Sequence, residues 1–289
     1  MNTKASIIKS SKTIAKLIFP IYVAVDILHY SGALTYLGKL FSPLTTFLGL
    51  PSEAALALAG GGFFNLYTGI ALAAPLGLTS HQWTVVAVFL GLFHSIIIEA
   101  AVLKKLQIPV WMTFTIRLSA AIFCAWITSR MGTTSEIIQV KTVELAQYSG
   151  FGDMLLHSVM NAFKITAKVM ILIALIIYAF DSIKKSKYFG KKLGEHSWFF
   201  NLIVGLLLGV TYGAGLLLNE GASKCRNNLP TAFFLLLCHG IIEETVLFTM
   251  FGASALPVIL SRLGMALVMS SLCIVFTQKR ASALQEKVV

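Results

Sequence analysis

Apolar residues run through this chain in long uninterrupted blocks. Residues 169–180, 198–218, 229–242 and 263–276 hold no Asp, Glu, Lys or Arg, and 83–103 hold only Glu99. A helix that crosses a bilayer needs about 20 mostly apolar residues. The pattern predicts an all-α integral membrane protein. Each half shows the same order of parts: A at 17–37 and about 160–183, a connector at 38–50 and 184–197, B at 51–78 and 198–219, C at 83–104 and 230–250, and D at 109–128 and 256–277.

The order recurs because the chain repeats itself. His94-Ser-Ile-Ile-Ile-Glu99 aligns with His239-Gly-Ile-Ile-Glu-Glu244 at an offset of 145 residues, and Arg117-Leu118 with Arg262-Leu263 at the same offset. Tyr67 falls on Tyr212, Gly60 on Gly205 and Gly49 on Gly194. Ile14-Ala-Lys16 resembles Thr166-Ala-Lys168 at a slightly larger offset. Membrane segments share Leu and Ile freely, but His, Glu, Arg and Tyr do not match at one ungapped offset by accident. The reading is two homologous halves, 1–145 and 146–289.

Composition agrees. Of the 289 residues 57% are hydrophobic and 12% charged, against roughly 25% charged in a soluble domain, and mean hydropathy is +0.82. The net charge of +11 comes from lysines at block ends: Lys4, Lys9, Lys12 and Lys16; Lys104 and Lys105; Lys184, Lys185, Lys187, Lys191 and Lys192; Lys279 with Arg280. Positive flanks mark the cytoplasmic side. Nucleic-acid binding would need one basic face interleaved with aromatics, and none is present. Cys124, Cys225, Cys238 and Cys273 form no CxxC pair, which argues against a disulfide framework or a cysteine zinc site. The basic N-terminus reads as a retained first helix.

Charge parity sets the topology. Part B holds Gly60-Gly61-Gly62 and Pro75 in one copy, and Gly205, Gly209, Gly213 and Gly215 in the other. Each glycine costs about 1 kcal/mol against Ala inside a helix. If both B segments are broken or re-entrant, three spans remain per half and the second half is inverted. Both termini and the 184–192 lysines then lie in the cytoplasm. This is the inverted-repeat plan of many secondary transporters. Lys164 and Lys168, at the start of the second A helix, stand against it.

Ser31-Gly-Ala-Leu34, Phe41-Ser-Pro-Leu44, Leu48-Gly-Leu-Pro-Ser-Glu53, Asn65-Leu-Tyr67-Thr-Gly69 and His94-Ser-Ile-Ile-Ile-Glu99 together resemble the Gate ("nucleoside recognition") membrane domain. The resemblance covers 17–128 well and 198–276 more weakly. It relates the chain to the spore maturation membrane proteins and to the membrane part of ferrous-iron transporter B. The P-loop of that transporter's GTPase is missing. The second copy has Val210 in place of Asn65 and lacks the Pro-Ser-Glu step.

Intramembrane ionisable groups cost about 2.5–3.5 kcal/mol each at a helix centre and so face a cavity or one another. Glu99 and Arg117 are equidistant from the C–D turn near residue 108, as Glu244 and Arg262 are from 253, which predicts two Glu–Arg pairs. On a continuous helix five residues turn about 140°, which separates His94 from Glu99, whereas His239 and Glu243 share a face. The two histidines have three open readings: structural hydrogen bonding, proton handling, and a transition-metal site with Glu243. Asn65, Tyr67 and Thr68, with Tyr212 and Asn219 opposite, would line a polar cavity at a broken helix. Asp26 and His29 could join them. Asp181 reads as a helix-end charge, and 35–48, with Lys39, as an interfacial helix. No catalytic constellation is found, and no cofactor is expected.

The expectation is therefore a transporter of the bacterial cytoplasmic membrane. Its partners are the lipid bilayer and a small solute or ion held between the halves, with homo-oligomers possible. A non-transporting scaffold and a divalent-metal permease are the alternatives.

Overall fold

The computed structural model describes residues 3–39, 42–104, 109–131, 148–185, 206 and 229–285. All regular structure among them is helical. Among the described residues six segments are long and apolar enough to cross a membrane: Thr3–Tyr30, Ser80–Ala100, Val110–Arg130, Phe151–Ser182, Pro230–Thr249 and Ala255–Val275. The protein is an all-α, multi-pass membrane protein.

The first A part starts earlier than expected. α1 (Thr3–Tyr30) includes the lysine-rich stretch, because Lys is a good helix former whatever its hydropathy. It ends at Gly32, in the left-handed region at φ 75°. The segment read as one interfacial helix is two short ones, α2 (Ala33–Lys39) and α3 (Ser42–Phe47).

Part B is a pair of half-length helices, α4 (Ala54–Phe63) and α5 (Leu66–Ala73), followed by a 3-10 turn over Ala74–Leu76. At 1.5 Å per residue each is about half the length needed to cross the roughly 30 Å hydrocarbon core. The three glycines do not break α4, contrary to expectation. They let other elements approach it. A Cβ on Gly69 would lie 2.9 Å from the Cα of Gly61, and one on Gly60 would lie 2.3 Å from Leu72 Cδ1. The break comes three residues later, where Asn65 is extended at φ −168° and its Oδ1 accepts from Thr68 N at 2.9 Å. α4 and α5 thus fold back on each other as a hairpin.

Part C is broken too, which was not foreseen. α6 (Ser80–Leu92) stops at Phe93 and α7 (Ile96–Lys104) begins after Ser95. The corresponding segment is α10 (Leu229–Cys238) and α11 (Ile241–Thr249), separated by His239 and Gly240. Ser95 at φ 51° and Gly240 at φ 62° hold the same left-handed turn 145 residues apart. The α4–α5 hairpin reaches this break, where Ser95 N donates to Gly61 O at 3.1 Å. Part D forms α8 (Val110–Arg130) and α12 (Ala255–Gln285), and the second part A forms α9 (Phe151–Lys185).

Two antiparallel pairings organise these elements. The end of α1 meets the start of α9, with the Tyr30 ring 6.1 Å from Phe151. Farther along, Ala15, Lys16 and Phe19 face Phe163, Thr166 and Met170. In the second pairing Trp83 stacks on Phe251 at 4.9 Å and Ser254 N donates to Thr84 Oγ1 at 2.9 Å. At the far end His94 meets His239 with ring centroids 5.2 Å apart. The segment 80–94 therefore runs opposite to 239–252. The two broken spans cross at their histidines.

The proposed boundary near 145 falls within 132–147, outside the described residues. So do Tyr212, Asn219, Cys225, most of the second part B, and Lys187, Lys191 and Lys192.

Candidate functional site

A helix that stops inside a membrane leaves its last carbonyls without partners. Here arginines take them. Arg117 on α8 donates Nε to Leu92 O at 2.7 Å, and Arg262 on α12 donates Nε to Leu237 O at 3.3 Å. Arg262 Nη2 also donates to His239 O. Both arginines are fully buried.

The helices that restart carry a carboxylate in their first turn, Glu99 on α7 and Glu244 on α11. Negative charge is favoured there by the helix dipole. Each carboxylate takes the arginine of the neighbouring helix: Arg117 Nη1 to Glu99 Oε2 at 2.5 Å, and Arg262 Nη1 to Glu244 Oε2 at 2.6 Å. The two Glu–Arg pairs read from the sequence are both present.

The remaining carboxylate oxygens face the histidines. His94 Nε2 lies 3.1 Å from Glu99 Oε1 and 3.2 Å from Glu244 Oε1, and His239 Nε2 lies 3.1 Å from Glu99 Oε1. Each ring's Nδ1 is 2.8 Å from the carbonyl four residues back, Leu90 O and Leu235 O. A carbonyl only accepts, so each Nδ1 carries hydrogen. Both Nε2 atoms then point at acceptors. The contacts require a second proton, on ring or carboxyl, or a cation between them. One atom from each of His94, Glu99 and His239 fits within 4.8 Å, and all three residues are buried. Imidazole with carboxylate suits a first-row transition ion.

Two geometric expectations are corrected. His94 and Glu99 do meet, because the helix break removes the 140° separation of a continuous helix. Glu243 does not join His239, because Gly240 resets the helix register. Glu244 faces His94 instead, and Glu243 Oε1 accepts from Tyr67 Oη at 3.4 Å. Tyr67 thereby ties the α5 half-helix to α11. Asn65 and Thr68 satisfy each other at the α5 cap, Thr68 Oγ1 donating to Asn65 Oδ1 at 3.2 Å. Asp26 is buried beside Tyr22 and Ser158, between α1 and α9, away from this cluster.

The left-handed turns and the carbonyl-capping role of the arginines were missed. The signal for one break was in view: Gly240 followed by Glu243 and Glu244 reads as a helix start. Ser95 offers no such signal.

The Gate family model, described as nucleoside recognition, matches residues 11–109. Over that segment the chain is similar to the Gate domain. The matched segment runs from α1 past α7, and so holds Asn65, Tyr67, Thr68, His94 and Glu99. The chain is 28% identical over 286 residues to an uncharacterized membrane protein, YvoD, of Bacillus subtilis (strain 168), covering 93% of this chain and 91% of that one. No solved structure matches it.

Proposed function

We propose that this protein is a transporter of a small polar solute or ion in the bacterial cytoplasmic membrane. It would be built from inverted halves 1–145 and 146–289, with both termini in the cytoplasm. One observation carries the reading: two interrupted spans cross antiparallel at an ionisable cluster, with a half-length hairpin packed against the interruption. Discontinuous helices at mid-depth are where secondary transporters bind substrates. Irregular backbone survives at that depth only where protein buries it or it lines a cavity.

The contacts divide in a way that suits movement. Within each half the Glu–Arg bonds are 2.5 and 2.6 Å. At the cluster the contacts between the halves are longer, at 3.1 Å for His239–Glu99, 3.2 Å for His94–Glu244 and 3.4 Å for Tyr67–Glu243, while the Ser254–Thr84 bond at the other end of the crossing spans 2.9 Å. A rocking motion would break the second set and spare the first.

The test begins with thermal-shift screening of nucleosides, inorganic anions and divalent metals, the last because of the His94–Glu99–His239 set. Counterflow in proteoliposomes follows for any solute that stabilises. Flux should be abolished by Glu99→Gln and His94→Ala in protein that remains folded. Equal flux in wild type and both variants would refute the reading. A second reading, a non-transporting scaffold, is favoured by the sealed centre, in which Arg117 and Arg262 have no exposed surface. It predicts unfolding by Glu99→Gln, little change in the fold by His94→Ala, and no flux in wild type.

A further inference from the structure

Three atoms that accept rather than donate converge where the broken spans cross. Each imidazole keeps a hydrogen on Nδ1, held to Leu90 O or Leu235 O at 2.8 Å, so the Nε2 of each neutral ring turns a lone pair inward. Both Nε2 atoms face Glu99 Oε1, at 3.1 Å each. Lone pairs that close repel unless positive charge lies among them. The local charge balance asks for the same sign. Three carboxylates, Glu99, Glu243 and Glu244, stand with two guanidinium groups, Arg117 and Arg262. One negative charge is left over when the rings are neutral, which selects a cation and rejects an anion.

The partners of these groups are those of metal ligands. A ligating histidine almost always donates its other ring N–H to a carbonyl or carboxylate, and a ligating carboxylate is itself hydrogen-bonded. Both imidazoles meet the first condition through Leu90 O and Leu235 O. Glu99 meets the second, because Arg117 holds it by Oε2 and leaves Oε1 to point at the rings. Atoms bound to a tetrahedral zinc ion at about 2.0–2.1 Å stand about 3.3–3.4 Å apart. The two nitrogen–oxygen distances here are 3.1 Å, and all three atoms lie within 4.8 Å of one another. An ion at their centre needs no cavity larger than itself, which suits residues only 4–5% exposed.

We propose that His94 Nε2, His239 Nε2 and Glu99 Oε1 bind a divalent ion of the zinc type and so join the two broken spans. Two imidazoles, one carboxylate and an open fourth position make a set in which zinc exchanges a ligand, unlike a closed structural site. Glu244 Oε1, 3.2 Å from His94 Nε2, stands beside that position and would accept from a water in it. Carriage of the ion across the membrane rests on the transport reading above, whereas its binding does not.

Full-length protein in detergent, stripped with a chelator, is titrated with cobalt(II) as a coloured stand-in for zinc. Wild type should take up one equivalent with the visible bands of a four-coordinate ion, and zinc should displace it. X-ray absorption of the zinc-loaded protein should show nitrogen and oxygen neighbours at about 2.0–2.1 Å and no sulfur at about 2.3 Å. Losing a partner behind a ligand already costs about 10–100-fold in affinity, so losing a ligand by His239→Ala or His94→Ala should cost more than about a hundredfold. Cys238→Ala, next to His239 in the chain, should bind as wild type does. No uptake by wild type would mean that protons alone fill the cluster and would overturn the proposal. Sulfur neighbours, or undiminished affinity in both histidine variants, would overturn it as well. The wild-type spectra decide the matter even where a variant fails to fold. Zinc-loaded protein that moves neither zinc nor any screened solute in proteoliposomes would sink the transport reading and leave the ion site standing. Flux of a solute by protein that binds no zinc would do the reverse.

Discussion

Removing Arg262 should damage the fold far more than removing its whole ion pair. The side chain is fully buried and donates to Leu237 O, Glu244 Oε2 and His239 O. Breaking a buried ion pair from one side costs about 3–5 kcal/mol. Glu244 keeps its contact to His94 at 3.2 Å, which places the charge share near the lower end, about 3 kcal/mol. Two carbonyls are stranded as well, at about 1 kcal/mol or more each. Arg262→Met should therefore lose about 5 kcal/mol. Combining it with Glu244→Gln removes the orphaned charge and leaves the carbonyl share, about 2 kcal/mol. At about 2–4 °C per kcal/mol the midpoint should fall about 10–20 °C in the single variant and about 4–8 °C in the double. Thermal unfolding in detergent at one fixed scan rate reads this, since such transitions are often irreversible. Arg130→Met, at the exposed end of α8, should stay within about 0.5 kcal/mol. A single variant as stable as wild type, or a double variant as damaged as the single, would refute the claim that Arg262 both pairs the carboxylate and caps the broken helix.

Ser95→Gly should stabilise the protein by about 1 kcal/mol, because a left-handed residue with a Cβ carries about that strain; an unchanged or lower midpoint counts against strain at this turn. Gly69→Ala should lose about 1–3 kcal/mol by overpacking, since its Cβ would meet backbone at Gly61 2.9 Å away. Gly264→Ala, with open space around it, should gain up to about 1 kcal/mol of helix propensity. If Gly69→Ala is equally harmless, the hairpin contact is looser than the structure indicates. Single-cysteine labelling should place residues near 80 outside, and those near 106, 188 and 284 inside. An external 188 would remove the inverted arrangement.

Much of the centre was legible because charge in a membrane has few options. Glu99 and Arg117 sit equally far from one turn, so depth alone pairs them, and the offset of 145 repeats the argument for Glu244 and Arg262. The breaks in the C spans were not legible. An interruption of two or three residues keeps the block apolar, so hydropathy reads 83–103 as continuous. Gly240 could have been noticed, but Ser95 adopts the same turn without the residue type that announces it. The glycine triplet misled for the opposite reason. Glycine marks both broken and closely packed helices, and only the approach of Gly69 and Leu90 to α4 decides for packing.

The two arginines explain how a membrane span can be interrupted at all. Cutting a helix at mid-depth frees carbonyls on one side and amides on the other, and no water is at hand to take them. Arg117 and Arg262 supply donors to Leu92 O and Leu237 O, while Glu99 and Glu244 complement the positive ends of the restarted helices. One ion pair per break thus meets both needs. That leaves one oxygen of each carboxylate, and both histidine Nε2 atoms, uncommitted to holding the break open. Those surplus groups, Glu99 Oε1, Glu244 Oε1 and the two imidazoles, converge where the spans cross. A scaffold would require the arginines and carboxylates but not the histidines. The histidines are therefore the residues whose loss most cleanly separates holding the fold from handling a solute. His239→Ala removes the 3.1 Å contact to Glu99, one Nδ1 bond to its own helix and the ring contact with His94. It should leave the midpoint within about 2 kcal/mol of wild type while ending solute-dependent stabilisation, and a variant that still binds the solute would return the cluster to a purely structural role.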